Sequence, residues 1–272
     1  MLPVICVGGF TRADLTAVRN AGFTRVEISL SEVAAMDGQT LDAYAALLGS
    51  LGLTAVAANC FFPQKIGGMT GFFNGSYDET VLDRYAGTAM EKTARFPLAS
   101  IGFGSGGMRR VSGRLPMAEA AERLCDILGR IVLPRVAERG AILAVEPLNA
   151  RVTDFLNTCA EGAAFVRKLG DPHAGLLCDF FHLTHGGETP ADIPAFRDTL
   201  RHVHIASPSN GNNVPLPGDG DTAAYASFVK ALAANGYDGF VSVEGLFPKD
   251  RSHADALADA FRLLQSLPEI TT

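Results

Sequence analysis

The chain alternates between two hydrophobic patterns. Short apolar runs of about four to six residues recur along it, separated by longer segments in which apolar residues repeat every three or four positions. The short runs are typical of strands buried on both faces, and the longer segments are typical of amphipathic helices. The predicted strands are Val4–Gly8, Arg25–Ser29, Thr54–Ala58, Leu98–Phe103, Ile142–Val145, Ala174–Asp179, Arg201–Ile205 and Gly239–Glu244. The predicted helices are Thr11–Ala21, Leu41–Leu51, Asp78–Arg95, Pro116–Arg139, Ala160–Leu169, Asp192–Leu200, Ala223–Ala234 and Ala254–Leu264.

Eight strands that alternate with eight helices predict a parallel α/β fold. The alternation runs through residues 1–272 without a linker or a shift in composition, so we expect a single-domain (β/α)8 TIM barrel instead of an open, doubly wound sheet. The two folds differ in where chemical groups gather. A barrel brings the C-terminal ends of all its strands to one mouth, whereas an open sheet spreads four neighbouring strand ends over roughly 15 Å, at ~4.8 Å per strand.

The last four predicted strands carry, near their C-terminal ends, side chains of the types that bind metals. The run Ile142–Val145 is followed directly by Glu146, and the next three strands carry Asp179, His204 and Glu244 near their C-terminal ends, at intervals of 33, 25 and 40 residues. In a barrel these four side chains point to one mouth. Because three carboxylates and one imidazole form a hard, oxygen-rich set, we expect one Mn²⁺, Mg²⁺ or Co²⁺ ion, with Zn²⁺ as a less well matched option.

The predicted metal site also has the charge that acid–base chemistry needs. Three carboxylates around a divalent ion leave a net charge of −1, so Glu146 or Glu244 can bind the metal through one oxygen and accept a proton with the other. Two further side chains are candidates for substrate contact. Glu27 ends the second strand and is expected to reach a substrate hydroxyl or to form a structural salt bridge, and His185 lies in a His-Gly-Gly loop that is expected at the mouth.

The connection from Asn59 to Tyr77 is unusually long and rich in aromatic residues. Loops of this length in compact domains are often lids or binding loops, which makes Phe61 a candidate substrate contact. The alternative is that Phe61, Phe62, Phe72 and Phe73 form a satellite hydrophobic cluster.

Composition limits the class of partner. Hydrophobic residues make up 47% of the chain and charged residues 19%, with a formal net charge of −6, which disfavours a nucleic-acid partner because phosphate binding requires clustered Lys and Arg. The five cysteines are scattered without metal-binding spacing, so we expect free thiols and a cytoplasmic location. No apolar run approaches 18 residues, so no membrane segment is expected.

Four short motifs resemble those of a known superfamily, the xylose isomerase-like TIM barrels of the sugar isomerase/epimerase group, and the resemblance covers essentially the whole chain. The motifs are Glu146-Pro147-Leu148-Asn149, Asp179-Phe180-Phe181-His182, His202-Val203-His204-Ile205 and Val243-Glu244. The resemblance implies a divalent metal held by Glu146, Asp179, His204 and Glu244. It also implies that Glu146 and Glu244 act as acid and base on either side of the substrate, with His182 on a substrate oxygen.

Two branches of the superfamily match in part. The tagatose 3-epimerase-like branch has Arg directly after the EPLN motif, where this chain has Ala150, although Pro217–Gly220 resembles its PGxG turn. The hydroxypyruvate isomerase-like branch has an Arg that Arg151 matches. Both branches have a further Arg where Asn210 stands. The expected substrate is therefore a small, unphosphorylated keto-sugar, keto-acid or keto-polyol, isomerised or epimerised by proton transfer through a metal-stabilised enediolate.

Other functions fit less well. The apurinic endonuclease branch needs additional histidines on strands three and four, where this chain has Asn59-Cys60 and Gly104-Ser105. A Schiff-base aldolase needs a lysine at a strand end, and all five lysines fall in predicted helices or loops. A metal-dependent lyase that uses the same residues for β-elimination is the main alternative function. Assembly into a homo-oligomer is left open.

Overall fold

The strands close into a complete barrel. The computed structural model describes residues 1–207, 221–247 and 250–271. Each strand pairs in parallel with the next in sequence, and β1 pairs with β8, so the (β/α)8 prediction is confirmed. The strands are β1 Leu2–Cys6, β2 Arg25–Ser29, β3 Thr54–Asn59, β4 Ser100–Phe103, β5 Ile142–Val145, β6 Ala174–Asp179, β7 Leu200–Ile205 and β8 Phe240–Val243.

Helices surround the barrel and bury their apolar faces against it. They are α1 Arg12–Ala21, α2 Leu30–Ala35, α3 Gly38–Ser50, α4 Glu79–Lys92, α5 Met117–Ile127, α6 Leu133–Ala137, α7 Cys159–Leu169, α8 Phe180–His185, α9 Thr222–Ala234 and α10 His253–Gln265. Local sequence sets their ends. Thr11 and Asp14 form a capping box at the start of α1, and Gly170 ends α7 in the left-handed conformation that glycine adopts readily. Within the described residues, no helix is long and apolar enough to cross a membrane.

The predicted helix Asp192–Leu200 is wrong. Residues Pro190–Ala195 form a 3-10 helix instead, and Leu200 begins β7. Proline explains the difference, because Pro194 has no N–H to donate to an α-helical hydrogen bond.

The predicted helix Pro116–Arg139 is interrupted. It divides into α5, a π-helical segment Leu128–Val132, and α6. Pro134 lacks the N–H that would bond to the carbonyl one turn earlier, and the wider π-turn lies directly before it.

The barrel positions the candidate site at one end. β1, β2 and β3 end at Cys6, Ser29 and Asn59, while Asp179 ends β6 and Glu146 follows β5. All of these polar groups lie at the C-terminal ends of parallel strands, which is the end where TIM-barrel active sites are built.

Candidate metal centre and active site

The structure brings the four predicted metal ligands together. Glu146, Asp179, His204 and Glu244 each offer one ligand atom, and these atoms all lie within 4.8 Å of one another. Asp179 and His204 are almost fully buried, whereas the Glu244 side chain is 36% exposed. The set is therefore enclosed on the barrel side and reachable from the mouth.

His204 turns one particular nitrogen toward the other three ligands. Its Nδ1 lies 3.1 Å from Oε2 of Glu244 and 4.0 Å from Oε1 of Glu146. The opposite nitrogen, Nε2, lies 2.9 Å from Oε1 of Glu27. Nδ1 is thus the atom that completes a donor set of three carboxylates and one imidazole, which is the chemistry that a hard divalent ion accepts.

The electrostatics of the set also fit a cation. Burial and the neighbouring charge of Glu244 raise the pKa of Glu146 well above its usual value, and burial raises the pKa of Asp179. Burial alone would lower the pKa of His204, but the charges of Glu27 and Glu244 outweigh it and hold that pKa well above its usual value. These shifts follow from packing acids into a space with little water, and a divalent ion would relieve their mutual repulsion.

A glycine makes room for the Glu146 carboxylate. A Cβ built on Gly104, just after β4, would lie well inside 3.0 Å of Oε2 of Glu146. Side-chain carbons do not approach oxygen atoms that closely, so any other residue at position 104 would displace this carboxylate.

Glu27 lies behind the ligand set, away from the mouth. Its side chain is 0% exposed, and it bonds to His204, to Nε2 of His202 at 2.7 Å and to the hydroxyl of Ser242 at 2.6 Å. The expected contact of Glu27 with a substrate hydroxyl is corrected accordingly, because both oxygens of this fully buried carboxylate are already bonded to side chains inside the barrel. Its contacts match the salt-bridge alternative.

His182 is held in one protonation state by Asn149. The backbone N–H of Asn149 donates to Nδ1 of His182 at 3.1 Å, and the side-chain amide nitrogen lies 3.0 Å from the same atom. An accepting Nδ1 places the ring proton on Nε2. Burial lowers the pKa of His182, so the ring is neutral and offers one N–H donor.

The remaining predicted contacts occupy different environments. Arg151 is exposed, and its backbone N–H donates to Oδ1 of Asn149 at 3.1 Å. His185 donates from Nδ1 to the Phe181 carbonyl oxygen at 2.9 Å, one turn back in α8. Their contact with substrate stays a prediction. Asn210 and the segment Pro217–Gly220 lie outside the described residues.

The aromatic residues of the long loop are packed inside the protein. Phe61 and Phe72 are 0% exposed, and the Phe62 ring lies 5.4 Å from that of Phe72 and 5.8 Å from that of Phe103. The backbone N–H of Phe72 donates to the Met108 carbonyl oxygen at 2.7 Å. These contacts favour the hydrophobic-cluster alternative over an open lid.

A cavity of about 420 Å³ opens beside Glu244, and sequence reasoning named neither Cys6 nor Ser29 in its lining as a site residue. The lining includes Cys6, Ser29, Asn59 and Cys60 from the ends of the first three strands. Cys60 has φ of 51°, an unusual backbone conformation for a residue with a side chain. The available signal was position, since Ser29 ends a predicted strand and Asn59 and Cys60 follow one.

Arg109 is a second feature that sequence reasoning missed. Its guanidinium is fully buried and contacts the carbonyl oxygens of Phe103 and Leu156 only at 3.5 Å. Burial lowers the pKa of Arg109 to about 10, although the negative charge of Glu146 acts to raise it. A buried cation near the ligand set partly offsets the negative charge there.

Several known proteins resemble the chain in sequence. It is 32% identical over 114 residues to a putative hydroxypyruvate isomerase of Mus musculus, covering 40% of each chain. It is 33% identical over 133 residues to 3-dehydro-D-guloside 4-epimerase of Escherichia coli K12, covering 48% of this chain and 47% of that one. The chain thus spans about half the length of the curated relatives it matches.

Solved structures and a family model extend the likeness to the whole chain. A D-psicose 3-epimerase crystallised with D-fructose superposes with a TM-score of 0.81 at 18% identity, over 98% of each chain. A 3-keto-D-glucoside 4-epimerase from E. coli gives a TM-score of 0.77 at 22% identity, over 98% of this chain and 99% of that one. The model of the family described as xylose isomerase-like TIM barrel matches residues 15–267, and the chain belongs to that family.

Proposed function

We propose that the chain is a divalent-metal-dependent enzyme that isomerises or epimerises a small, unphosphorylated keto-sugar, keto-acid or keto-polyol. The observation that carries the proposal is the convergence of Glu146 and Glu244 with Asp179 and His204 in one partly open set. The relatives support the reaction class, because their names describe ketose 3-epimerases, a 4-epimerase of a keto-glycoside and hydroxypyruvate isomerases.

The proposed metal site consists of the four converging ligands. A bound Mn²⁺, Mg²⁺ or Co²⁺ ion would supply Lewis-acid polarisation of two adjacent substrate oxygens, which makes the neighbouring C–H acidic enough for a carboxylate to remove its proton. Zn²⁺ also belongs to the test, since IOLI, a protein of similar fold, was crystallised with a zinc atom.

Glu146 and Glu244 are the proposed acid and base. They follow β5 and β8, three strand positions apart around the barrel, so they approach a molecule in the mouth from different directions. For epimerisation one carboxylate removes a proton and the other returns one to the opposite face, whereas an isomerisation can use a single carboxylate on one face.

The neighbouring side chains bind and orient the substrate in this proposal. The neutral His182 ring donates its Nε2–H to a substrate oxygen, and the cavity beside Glu244 receives the rest of the molecule. The substrate is a small carbohydrate-like molecule, and nucleic acid is not a proposed partner. A cytoplasmic location and a homo-oligomer stay predictions.

Isotope exchange tests the assignment. Glu146→Gln and Glu244→Gln are compared with the wild type on a panel of keto-sugars in D₂O, with the exposed Glu91→Gln of α4 as the matched control. An epimerase predicts loss of turnover in both variants, while at least one still exchanges a substrate C–H for deuterium. A one-base isomerase predicts loss of exchange and turnover together in one variant only.

Three outcomes contradict the proposal. Full activity in both variants refutes the roles of the two glutamates. Release of a leaving group without any isomer moves the assignment to a β-eliminating lyase. Cleavage of abasic DNA would favour the endonuclease alternative, but the described residues hold only one other candidate metal group, Cys6, Glu27 and His204, and it shares a histidine with the first.

A further inference from the structure

We infer that Glu27 is a positioning residue, which fixes the His204 ring with Nδ1 turned toward the metal ligands. The inference rests on the proposed metal binding but concerns a carboxylate that touches neither metal nor substrate. Glu27 lies on β2, and its side chain reaches across the barrel interior to β7. Around the closed barrel, β1 and β8 lie between these two strands. The contacts of Glu27 are therefore a property of the closed barrel.

Glu27 is bonded at both oxygens. Oε1 lies 2.9 Å from Nε2 of His204, while Oε2 lies 2.7 Å from Nε2 of His202 and accepts the Ser242 hydroxyl at 2.6 Å. All four residues are 0% exposed. A buried carboxylate is stable only when donors satisfy it, and these three donors hold it in one orientation.

The bonds of an ionised carboxylate determine the histidine tautomer. An anion offers no proton, so His204 must present an N–H from Nε2 to Glu27. The proton on Nε2 leaves a lone pair on Nδ1, the nitrogen 3.1 Å from Glu244 and within the four-ligand set. A lone pair at that position is what a metal ligand requires, and a carboxylate behind the ring raises its basicity.

His202 and Ser242 anchor Glu27 from the second oxygen. His202 lies two residues before His204 on β7, so its side chain points to the same interior face of the barrel. Its Nδ1 has no hydrogen-bond partner among the described residues, so its polar contacts there are made by Nε2, 2.7 Å from Oε2 of Glu27 and 3.3 Å from the Ser242 hydroxyl. The pairing register between β2 and β3 shifts between Val26 and Glu27, and such irregularities redirect side chains.

Metal affinity and ring NMR test the inference together. The Kd for Co²⁺, measured by competition with a chromogenic chelator, is expected to rise about 10- to 100-fold in Glu27→Gln, the range known for lost outer-shell partners. Ser242→Ala is expected to weaken binding less, because His204 keeps its bond. Ser100→Ala is the matched control, since Ser100 is also a buried strand serine but has no hydrogen-bond partner among the described residues.

The histidine tautomer is read independently of metal and of activity. In the metal-free wild type, at a pH high enough for the His204 ring to be neutral, ¹⁵N NMR of the imidazoles is expected to show its one proton on Nε2, and in Glu27→Gln a mixture of tautomers. A His204 proton on Nδ1 in the neutral wild-type ring would overturn the inference. This readout stands even if Glu27→Gln fails to fold, and even if the wild type binds no divalent ion and the proposed function fails.

A substrate-contact role for Glu27 gives a different result. It predicts that folded Glu27→Gln, checked by circular dichroism, keeps the wild-type Kd for Co²⁺ and raises KM at saturating metal. That combination would also overturn the inference. A positioning role predicts weaker Co²⁺ binding, with kcat reduced and KM little changed once metal saturates the site.

Discussion

Replacing Gly104 with alanine should damage the ligand set without removing a ligand. The new Cβ would lie well inside 3.0 Å of Oε2 of Glu146 and 3.5 Å from its Cδ. The carboxylate is the far end of a flexible side chain, so it can move aside at small cost to folding. It then leaves the position in which it faces Asp179, His204 and Glu244. The expected defect is therefore in metal binding and catalysis, with little change in stability.

The size of the defect follows from the displacement. Restoring an ordinary contact requires the carboxylate to shift by roughly 1 Å, whereas functional metal sites need ligand distances within about 0.2 Å of ideal values. A misplacement of about 1 Å at a reacting group typically costs on the order of 100-fold in rate. We expect kcat/KM to fall by about 10- to 100-fold and the Kd for Mn²⁺ or Co²⁺ to rise by about 10-fold or more.

A second glycine in the same loop provides the control. A Cβ on Gly107 would meet no atom within 4 Å, so Gly107→Ala makes the same chemical change without the contact to Glu146. Calorimetry of metal binding, steady-state kinetics on a keto-sugar and thermal unfolding are compared for both variants. Equal metal affinity and equal kcat/KM in Gly104→Ala and Gly107→Ala would refute the reasoning.

Three further predictions concern protons and packing. The pKa values of Glu146 and His204 are raised above their usual range, so the metal-free set holds protons more tightly than free side chains do, and a metal must displace them. Metal affinity should therefore rise with pH, and binding should release protons. Calorimetry in buffers of different ionisation enthalpy would contradict this if it found no proton release. Asn149→Ala removes a donor that favours the neutral ring, so the pKa of His182 should rise in an NMR titration, and an unchanged value would mean that burial alone lowers it. Phe72→Ala should lower the free energy of unfolding by about 3–5 kcal/mol in urea denaturation, because the ring is fully buried. Met117→Ala, 49% exposed, is its control, and a raised KM with unchanged stability in Phe72→Ala would restore the lid interpretation.

The barrel and the ligand set were predictable because they depend on local patterns. A run such as Ile142–Val145 reads as a buried strand from its own residues, and the next residue, Glu146, lies at the strand end whatever the strand pairs with. Once parallel pairing closes the sheet, all the strand ends face one mouth. The position of each candidate ligand along its strand therefore carries most of the information about the proposed metal centre.

Helix length was less predictable where proline and strand ends interfere. The segment after β6 folds directly into α8, with the Asp179 side chain accepting a hydrogen bond from the His182 backbone at 2.7 Å. A candidate metal ligand that also caps a helix is not visible in hydrophobic periodicity, because a six-residue helix covers fewer than two turns. The six-residue helix α2, which follows β2 without a loop, was missed by the sequence analysis for the same reason: it is too short to show a helical repeat.

Glu27 could not be placed from sequence because its partners depend on closure. The alternation of side chains along a strand decides only whether Glu27 points into the barrel or out of it. Its depth along the barrel axis, and so which residues of β7 it meets, depends on how all the strands are staggered around the barrel. Position at a strand end suggested a role at the mouth, as for Glu146. The difference lies in depth: Glu146 follows the last strand residue, whereas Glu27 precedes Ser29 by two positions and meets His202 and His204 inside the barrel. A carboxylate at that depth is surrounded by donors instead of by water, which is why we infer that it orients the neighbouring candidate ligand His204 and does not bind a substrate.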